Sequence, residues 1–236
     1  TPAGNWEGHT ILNRLQQPDL LPDAEEARLA SARATLLRAR ATRPAPERDD
    51  KVLADWNGLT IAALARAAVA LEEPAWLEAA RDAFAFVARH MVDDDGRLRH
   101  SWRDGRLRHP ATLDDHAQLA RAALTLFEIS GERRYLDHAR NWAEAAERHY
   151  ADAAGGYFMS ADDADGLIVR PKSAADNATP GGTGTMAEVE ARLWLLTGEM
   201  AWAERAGRTI ASVSGEIERN FYPLATLINA AELLVS

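Results

Sequence analysis

Cysteine is missing from this chain altogether, which excludes thiolate catalysis, disulfides and cysteine-based zinc sites. No apolar run is long enough to span a bilayer and no secretory leader is visible, so no membrane partner is expected and a cytoplasmic location is the default. Basic charge is also short. Lys and Arg number 27 against 36 Asp and Glu, a formal net charge of −9. That is the wrong sign for a nucleic-acid partner, which needs a concentrated basic face. The phosphate loop Gly-x-x-x-x-Gly-Lys-Ser/Thr does not occur. The seven histidines are scattered, there is no His-Glu-x-x-His, and Asp93-Asp94-Asp95-Gly96 lacks the ligand spacing of a calcium loop. No metal and no cofactor are expected.

What the chain has in abundance is alanine and repetition. Leu71-Glu72-Glu73-Pro74-Ala75-Trp76-Leu77, Ser130-Gly131-Glu132-Arg133-Arg134-Tyr135-Leu136 and Thr197-Gly198-Glu199-Met200-Ala201-Trp202-Ala203 are variants of one phrase. Trp76 to Tyr135 is a step of 135 − 76 = 59 residues, and Tyr135 to Trp202 a step of 202 − 135 = 67. Alanine-rich apolar stretches flank each copy, and alanine has the highest helix propensity. Each copy therefore reads as an antiparallel helical hairpin that must pack beside its neighbours to bury its apolar faces. The fold class is all-α, and residues 1–236 are read as a single domain whose core needs no staple. Trp76, Tyr135 and Trp202, at one repeat position, are expected in the core.

Along the chain, a helix is predicted from Pro22 to Ala41, stopped by Pro44 and Pro46. Asp50–Leu71 and Pro74–Val92 form the first pair, the second helix opened by its proline. Asp-Gly turns flank Leu98–Trp102 and predict a short β-hairpin. Leu113–Ile129 and Arg134–Tyr150 make the second pair, followed by a turn-rich excursion through Gly155-Gly156-Tyr157-Phe158 and Gly166. Gly182–Thr197 and Met200–Val213 make the third, and a last helix begins near Pro223. Both excursions leave the same end of the hairpins, so their loops gather on one face, where function is expected.

On that face Asp55 and Asp114 occupy one repeat position (114 − 55 = 59). With Asp115 and His116 they are candidate acid/base groups, since two carboxylates roughly 5–10 Å apart suit glycosidic hydrolysis. Trp56, Asn57 and Tyr157 are candidates for sugar stacking and hydrogen bonding. Arg170, Lys172, Asp176 and Asn177, on the long loop Val169–Thr185, are candidates for holding substrate. Structural readings stand beside these. Thr112-Leu113-Asp114-Asp115 fits a capping box, Asp55 suits a helix N-terminus, His116 fits a packed first-turn histidine, and the long loop fits an ordered crossover. Asn177-Ala178-Thr179 fits a glycosylation sequon taken as chance without a secretion signal.

Arg48-Asp49-Asp50-Lys51-Val52-Leu53-Ala54-Asp55-Trp56-Asn57-Gly58-Leu59, Leu113-Asp114-Asp115-His116-Ala117, Gly155-Gly156-Tyr157-Phe158, Val169-Arg170-Pro171-Lys172 and Asp176-Asn177-Ala178-Thr179-Pro180, in this order, resemble signature blocks of the spermatogenesis-associated, thioredoxin-like protein family. Asn5-Trp6-Glu7-Gly8 resembles another. The resemblance implies part of an (α/α)6 toroid of six helical hairpins, similar to N-acylglucosamine 2-epimerases and unsaturated glucuronyl hydrolases. It also implies that a thioredoxin-like domain and the early hairpins are absent from this chain. Pro180-Gly181-Gly182-Thr183-Gly184-Thr185 departs from the family's Pro-Ser-Gly-Asn-Ser, and His116 stands where the family has tyrosine.

The expected function is a carbohydrate-active toroid, glycoside hydrolase or sugar epimerase in class, with a small-molecule saccharide partner. About eight helices are too few to close six hairpins, so exposed hairpin edges are expected to support a homo-oligomer. The competing expectation is a non-catalytic scaffold that binds a peptide or small ligand in support of the absent thioredoxin-like domain.

Overall fold

The structure, a computed structural model, describes residues 3–235 and divides into two compact units, one up to Asp49 and one from Asp50 onward. The first holds the helix α1 (Asp23–Ala41). Asp23, Glu25 and Glu26 crowd its first turn and Arg38 and Arg40 its last, each sign placed to complement the helix dipole. Arg14 pairs with Glu26 at 2.7 Å, and no residue of α1 is buried.

The second unit runs β1 (Val52–Leu53), α2 (Ala54–Ala70), α3 (Pro74–His90), β2 (Arg99–Arg103), β3 (Arg106–Pro110), α4 (Leu113–Ser130), α5 (Arg133–Tyr150), α6 (Gly182–Thr197), α7 (Met200–Ser212), α8 (Ser214–Arg219), a 3-10 turn at Tyr222–Leu224 and α9 (Ala225–Val235). The hairpins α2/α3, α4/α5 and α6/α7 are those the repeat predicts. Gly131 and Gly198 end α4 and α6 in the left-handed conformation at φ 70° and 74°, where glycine meets no Cβ penalty. In the first copy the same turn falls on Glu72, at φ 55°, and a non-glycine residue is strained there.

The first helices of the pairs lie against one another. α4 packs on α2, α5 and α6, and α6 packs on α7 and α9. Twelve of the 18 residues of α4 are buried, which is why its sequence shows no single apolar stripe. α2 packs on α4 and buries Gly58, Ile61, Ala62 and Ala65. A Cβ on Gly58 would stand 2.6 Å from the Gln118 carbonyl carbon, so the two backbones approach closely only because that side chain is absent. Between α4 and α6, Arg192 of α6 reaches Glu128 of α4 at 2.9 Å and Glu188 of its own helix at 3.1 Å.

Two differences from the sequence expectation have physical causes. α2 begins at Ala54 rather than Asp50 because Val52 and Leu53 pair with Trp102 and Ser101 of β2, making a three-stranded antiparallel sheet in the order β1-β2-β3. Trp102 of that sheet meets Phe86 of α3 edge-on, with ring centroids 5.2 Å apart. Trp76 is 38% exposed, whereas Tyr135 and Trp202 are 1% and 2% exposed. The first copy has no preceding hairpin of the second unit to cover it.

Candidate functional site

The N-termini of α2, α4 and α6 converge, and Asp115 is the knot that joins two of them to the sheet. Its carboxylate is fully buried. Oδ2 accepts from the Thr112 amide at 2.7 Å and the Thr112 hydroxyl at 3.0 Å, closing a capping box. Oδ1 accepts from the Asp55 amide at 3.0 Å, and His100 Nδ1 lies 3.0 Å from both oxygens. A carboxylate only accepts, so the hydrogen sits on Nδ1 and Nε2 is the free nitrogen of the His100 ring. The hydrogen bond to Asp115 raises the His100 pKa, with the charges of Asp115, Asp55 and Asp114 adding to it against burial. His100 lies on β2 and has no counterpart in the helical repeat, so sequence reasoning missed it. Only the Asp-Gly turns marking its hairpin hinted that this segment reaches the rim.

Asp114, one residue earlier on the helix, is held quite differently. It is half-buried, and its Oδ1 is enclosed without an aligned hydrogen bond. Burial pushes its pKa up to about 6, the Asp115 and Asp55 charges adding to the rise, while the nearby Gly182 amide and His100 pull it down. Gly182, the first residue of α6, has to be small: a Cβ there would collide with Asp114 Oδ1 and approach Leu113 Cγ at 3.0 Å. Asp55 is also half-buried, its pKa raised by desolvation and then by the Asp115 charge. One of its oxygens takes the Trp56 amide at 2.7 Å. Trp56 is 61% exposed, and Asn57 donates its side-chain amide to the Leu53 carbonyl at 2.8 Å.

The remaining sequence candidates are placed elsewhere or committed to the scaffold. His116 is buried in edge contact with Tyr150, and desolvation lowers its pKa to about 4, which keeps the ring neutral. Tyr157 is buried, its hydroxyl hydrogen-bonded with Glu190 and, at 3.0 Å, with Glu147, leaving no ring face open to solvent for stacking. Arg170 binds the carbonyls of Ser160 and His149 at 2.7 and 2.8 Å and lies over the Phe158 ring. Lys172 binds the Gly155 carbonyl at 2.8 Å and Asp152 at 2.5 Å. Asp176 accepts from the amides of Gly181 and Thr226, fixing the approach to α6. Asn177 is exposed, and its amide bonds the Thr179 carbonyl at 3.1 Å.

Two groups among the described residues have ligand atoms close enough to hold a cation, Asp55 with His100 and Asp115, and His149 with Asp162 and Asp163. In the first, the Asp115 oxygens are already taken by three N–H or O–H donors besides His100. A cavity of about 350 Å³ lined by Gly155, Gly156, Lys172 and Ser212 has none of the rim acids in its wall.

No protein-family model matches the chain. Among curated proteins it is 29% identical to spermatogenesis-associated protein 20 of Homo sapiens over 247 residues, covering 97% of this chain and 31% of that protein. The protein of the same name from Rattus norvegicus is 30% identical over 88% of this chain and 28% of its own length. The chain resembles spermatogenesis-associated protein 20. It spans about a third of the length of these relatives.

Solved structures agree on the architecture. A GH76 α-mannanase of Bacteroides thetaiotaomicron superposes with a TM-score of 0.65 at 21% identity, over 80% of this chain and 54% of that one. Cellobiose 2-epimerase of Spirochaeta thermophila gives 0.58 at 20% identity, over 71% and 44%. An inactive variant of an α-1,6-mannanase from a Salegentibacter species, two consecutive aspartates changed to asparagine, in complex with α-1,6-mannotriose, gives 0.57 at 17% identity, over 81% and 55%. These are (α/α)6 toroid enzymes, and the likeness shows that this chain shares part of that fold.

Proposed function

We propose that the rim at the N-termini of α2, α4 and α6 is a carbohydrate site in which Asp114 acts as general acid. The observation that carries this reading is the contrast between neighbouring carboxylates. Asp115 spends both oxygens on fixed donors, whereas Asp114 keeps an enclosed oxygen with only the misaligned Gly182 amide beside it and a pKa of about 6, a poise suited to proton transfer near neutrality. His100, aimed by Asp115 through Nδ1, offers Nε2 as the partner base, with Asp55 carrying the second carboxylate of the rim. A ligand atom of Asp55 lies within 4.8 Å of one on His100. Asp115 and Asn57 are then positioning residues, and the exposed Trp56 supplies an apolar ring face for a sugar.

The neighbouring folds support the choice of substrate class. The mannanase inactivated by loss of two consecutive aspartates binds α-1,6-mannotriose, and Asp114-Asp115 is a consecutive aspartate pair at the rim of this chain. Incubating the protein with α-1,6-mannotriose and with cellobiose, followed by NMR of the products, tests hydrolysis and epimerisation together. Turnover of either sugar that disappears in the Asp114→Asn variant is the expected outcome. The absence of both turnover and saturable thermal stabilisation of the wild type with these sugars would overturn it.

The second reading, a non-catalytic binding scaffold, is favoured by one observation. Asp55 and Asp115 both accept backbone amides, as helix-capping acids do. On that reading sugars bind without turnover, or do not bind at all.

A further inference from the structure

The hairpin β2/β3 carries a cavity of opposite character to the rest of the molecule. About 520 Å³ is lined by Lys51, Arg103, Arg106, Arg108 and His109, with Asp104 as the single carboxylate in the wall. The chain as a whole is formally −9, so this concentration of positive charge is local to one sheet face. It follows from strand geometry: Arg106 and Arg108 are two apart on β3 and share a face, and the register sets Arg103 opposite Arg106 and Ser101 opposite Arg108.

Placing two arginines directly across an antiparallel pair is unfavourable unless a counter-charge sits between them. Arg103 has its own, Asp50 at 2.7 Å with Asp104 at 3.7 Å. Arg106 and Arg108 have no acidic partner among the described residues. At the same wall His109 holds a left-handed φ of 59°, a strained conformation for a residue with a Cβ.

We propose that this cavity binds the phosphate group of a small phosphorylated molecule, with Arg106 and Arg108 as its principal ligands. Two unpaired guanidinium groups match the double charge of a phosphate monoester, whereas a lone carboxylate would neutralise only one, and planar guanidinium forks suit its oxygens. The volume is that of a small-molecule site rather than of a bare ion. A polyanion such as nucleic acid would meet repulsion from the surrounding −9 surface. The proposal is independent of the acid/base reading at the rim and stands or falls without it.

Calorimetric titration of the full chain with pyrophosphate, glucose 6-phosphate and glucuronate tests it. Saturable binding of both phosphates is expected, weakened by physiological salt. The Arg106→Gln/Arg108→Gln variant should lose affinity roughly tenfold or more, since each charge-assisted contact is worth that much, while Arg133→Gln on α5 should leave affinity unchanged. Both hairpin arginines are exposed, so folding of the variant should survive, and circular dichroism checks it. The single variant Arg106→Gln should show an intermediate loss. Absence of saturable phosphate binding, equal affinity in the double variant, or glucuronate binding as tightly as glucose 6-phosphate would each overturn the assignment.

Discussion

Replacing Asp114 by asparagine should abolish any turnover at the rim and yet stabilise the protein at neutral pH. The folded state holds the Asp114 proton with a pKa of about 6, against an ordinary 3.8. Between these values the folded chain binds more protons than the unfolded one, so stability falls as pH rises through the window, and the full penalty is present above the folded pKa. At 1.36 kcal/mol per tenfold change in proton affinity, and discounted for the side chain's residual exposure, the penalty is ~2–3 kcal/mol. Asparagine has no proton to lose and keeps an oxygen for the Gly182 amide. The variant should therefore match the wild type near pH 4 and melt roughly 5–10 °C higher near pH 7.5. Thermal melts of both proteins at the two pH values decide it. Comparing the difference between proteins, rather than either curve alone, cancels the other titrating groups. A variant less stable than wild type at neutrality, or a difference that does not change with pH, would refute the account of Asp114 as an ionised group held against its environment.

Glu72 stands at the left-handed turn where the other two copies have glycine, so Glu72→Gly should raise stability by about 0.5–1 kcal/mol, read by chemical denaturation. Gly58→Ala should lower stability by roughly 1–3 kcal/mol, because the new methyl meets the Gln118 backbone rather than a movable side chain, despite the helix propensity it gains. Glu190 is buried beside Tyr157, with desolvation pushing its pKa up to about 8. The folded state again keeps the proton longer, so Glu190→Gln should melt close to wild type near pH 5 and increasingly above it towards pH 9.

The repeat, the hairpins and most helix limits were legible in the sequence because their signals are local: alanine-rich periodicity, a Gly-Glu turn, a proline at a first helical position, Asp-Gly at a hairpin. Thr112 and Asp115 could be read as a capping box for the same reason, since the two residues lie within one helical turn. Asp55 and Asp114 could be set on one rim because a repeated unit places equivalent residues in equivalent positions. The short strand at Val52–Leu53 was not legible, because its pairing with β2 depends on residues almost fifty positions away and replaced the predicted first turn of α2.

What only the tertiary structure decided is which of these side chains is chemically free. Tyr157, Arg170, Lys172 and Asp176 look in sequence like ligands for a substrate, but each polar group is taken by a partner from another element, Tyr157 by Glu190 of α6 and Asp176 by the start of α9. His100 reads as one residue of a hairpin until the sheet folds it onto Asp115. Asp114 and Asp115 are adjacent in sequence and differ in environment because Asp115 faces the Asp55 amide and His100 while Asp114 faces Gly182. Periodicity specifies which face of a helix a residue occupies. Its desolvation and its hydrogen-bond partners, and hence its proton affinity, are set by what other parts of the chain bring to that face.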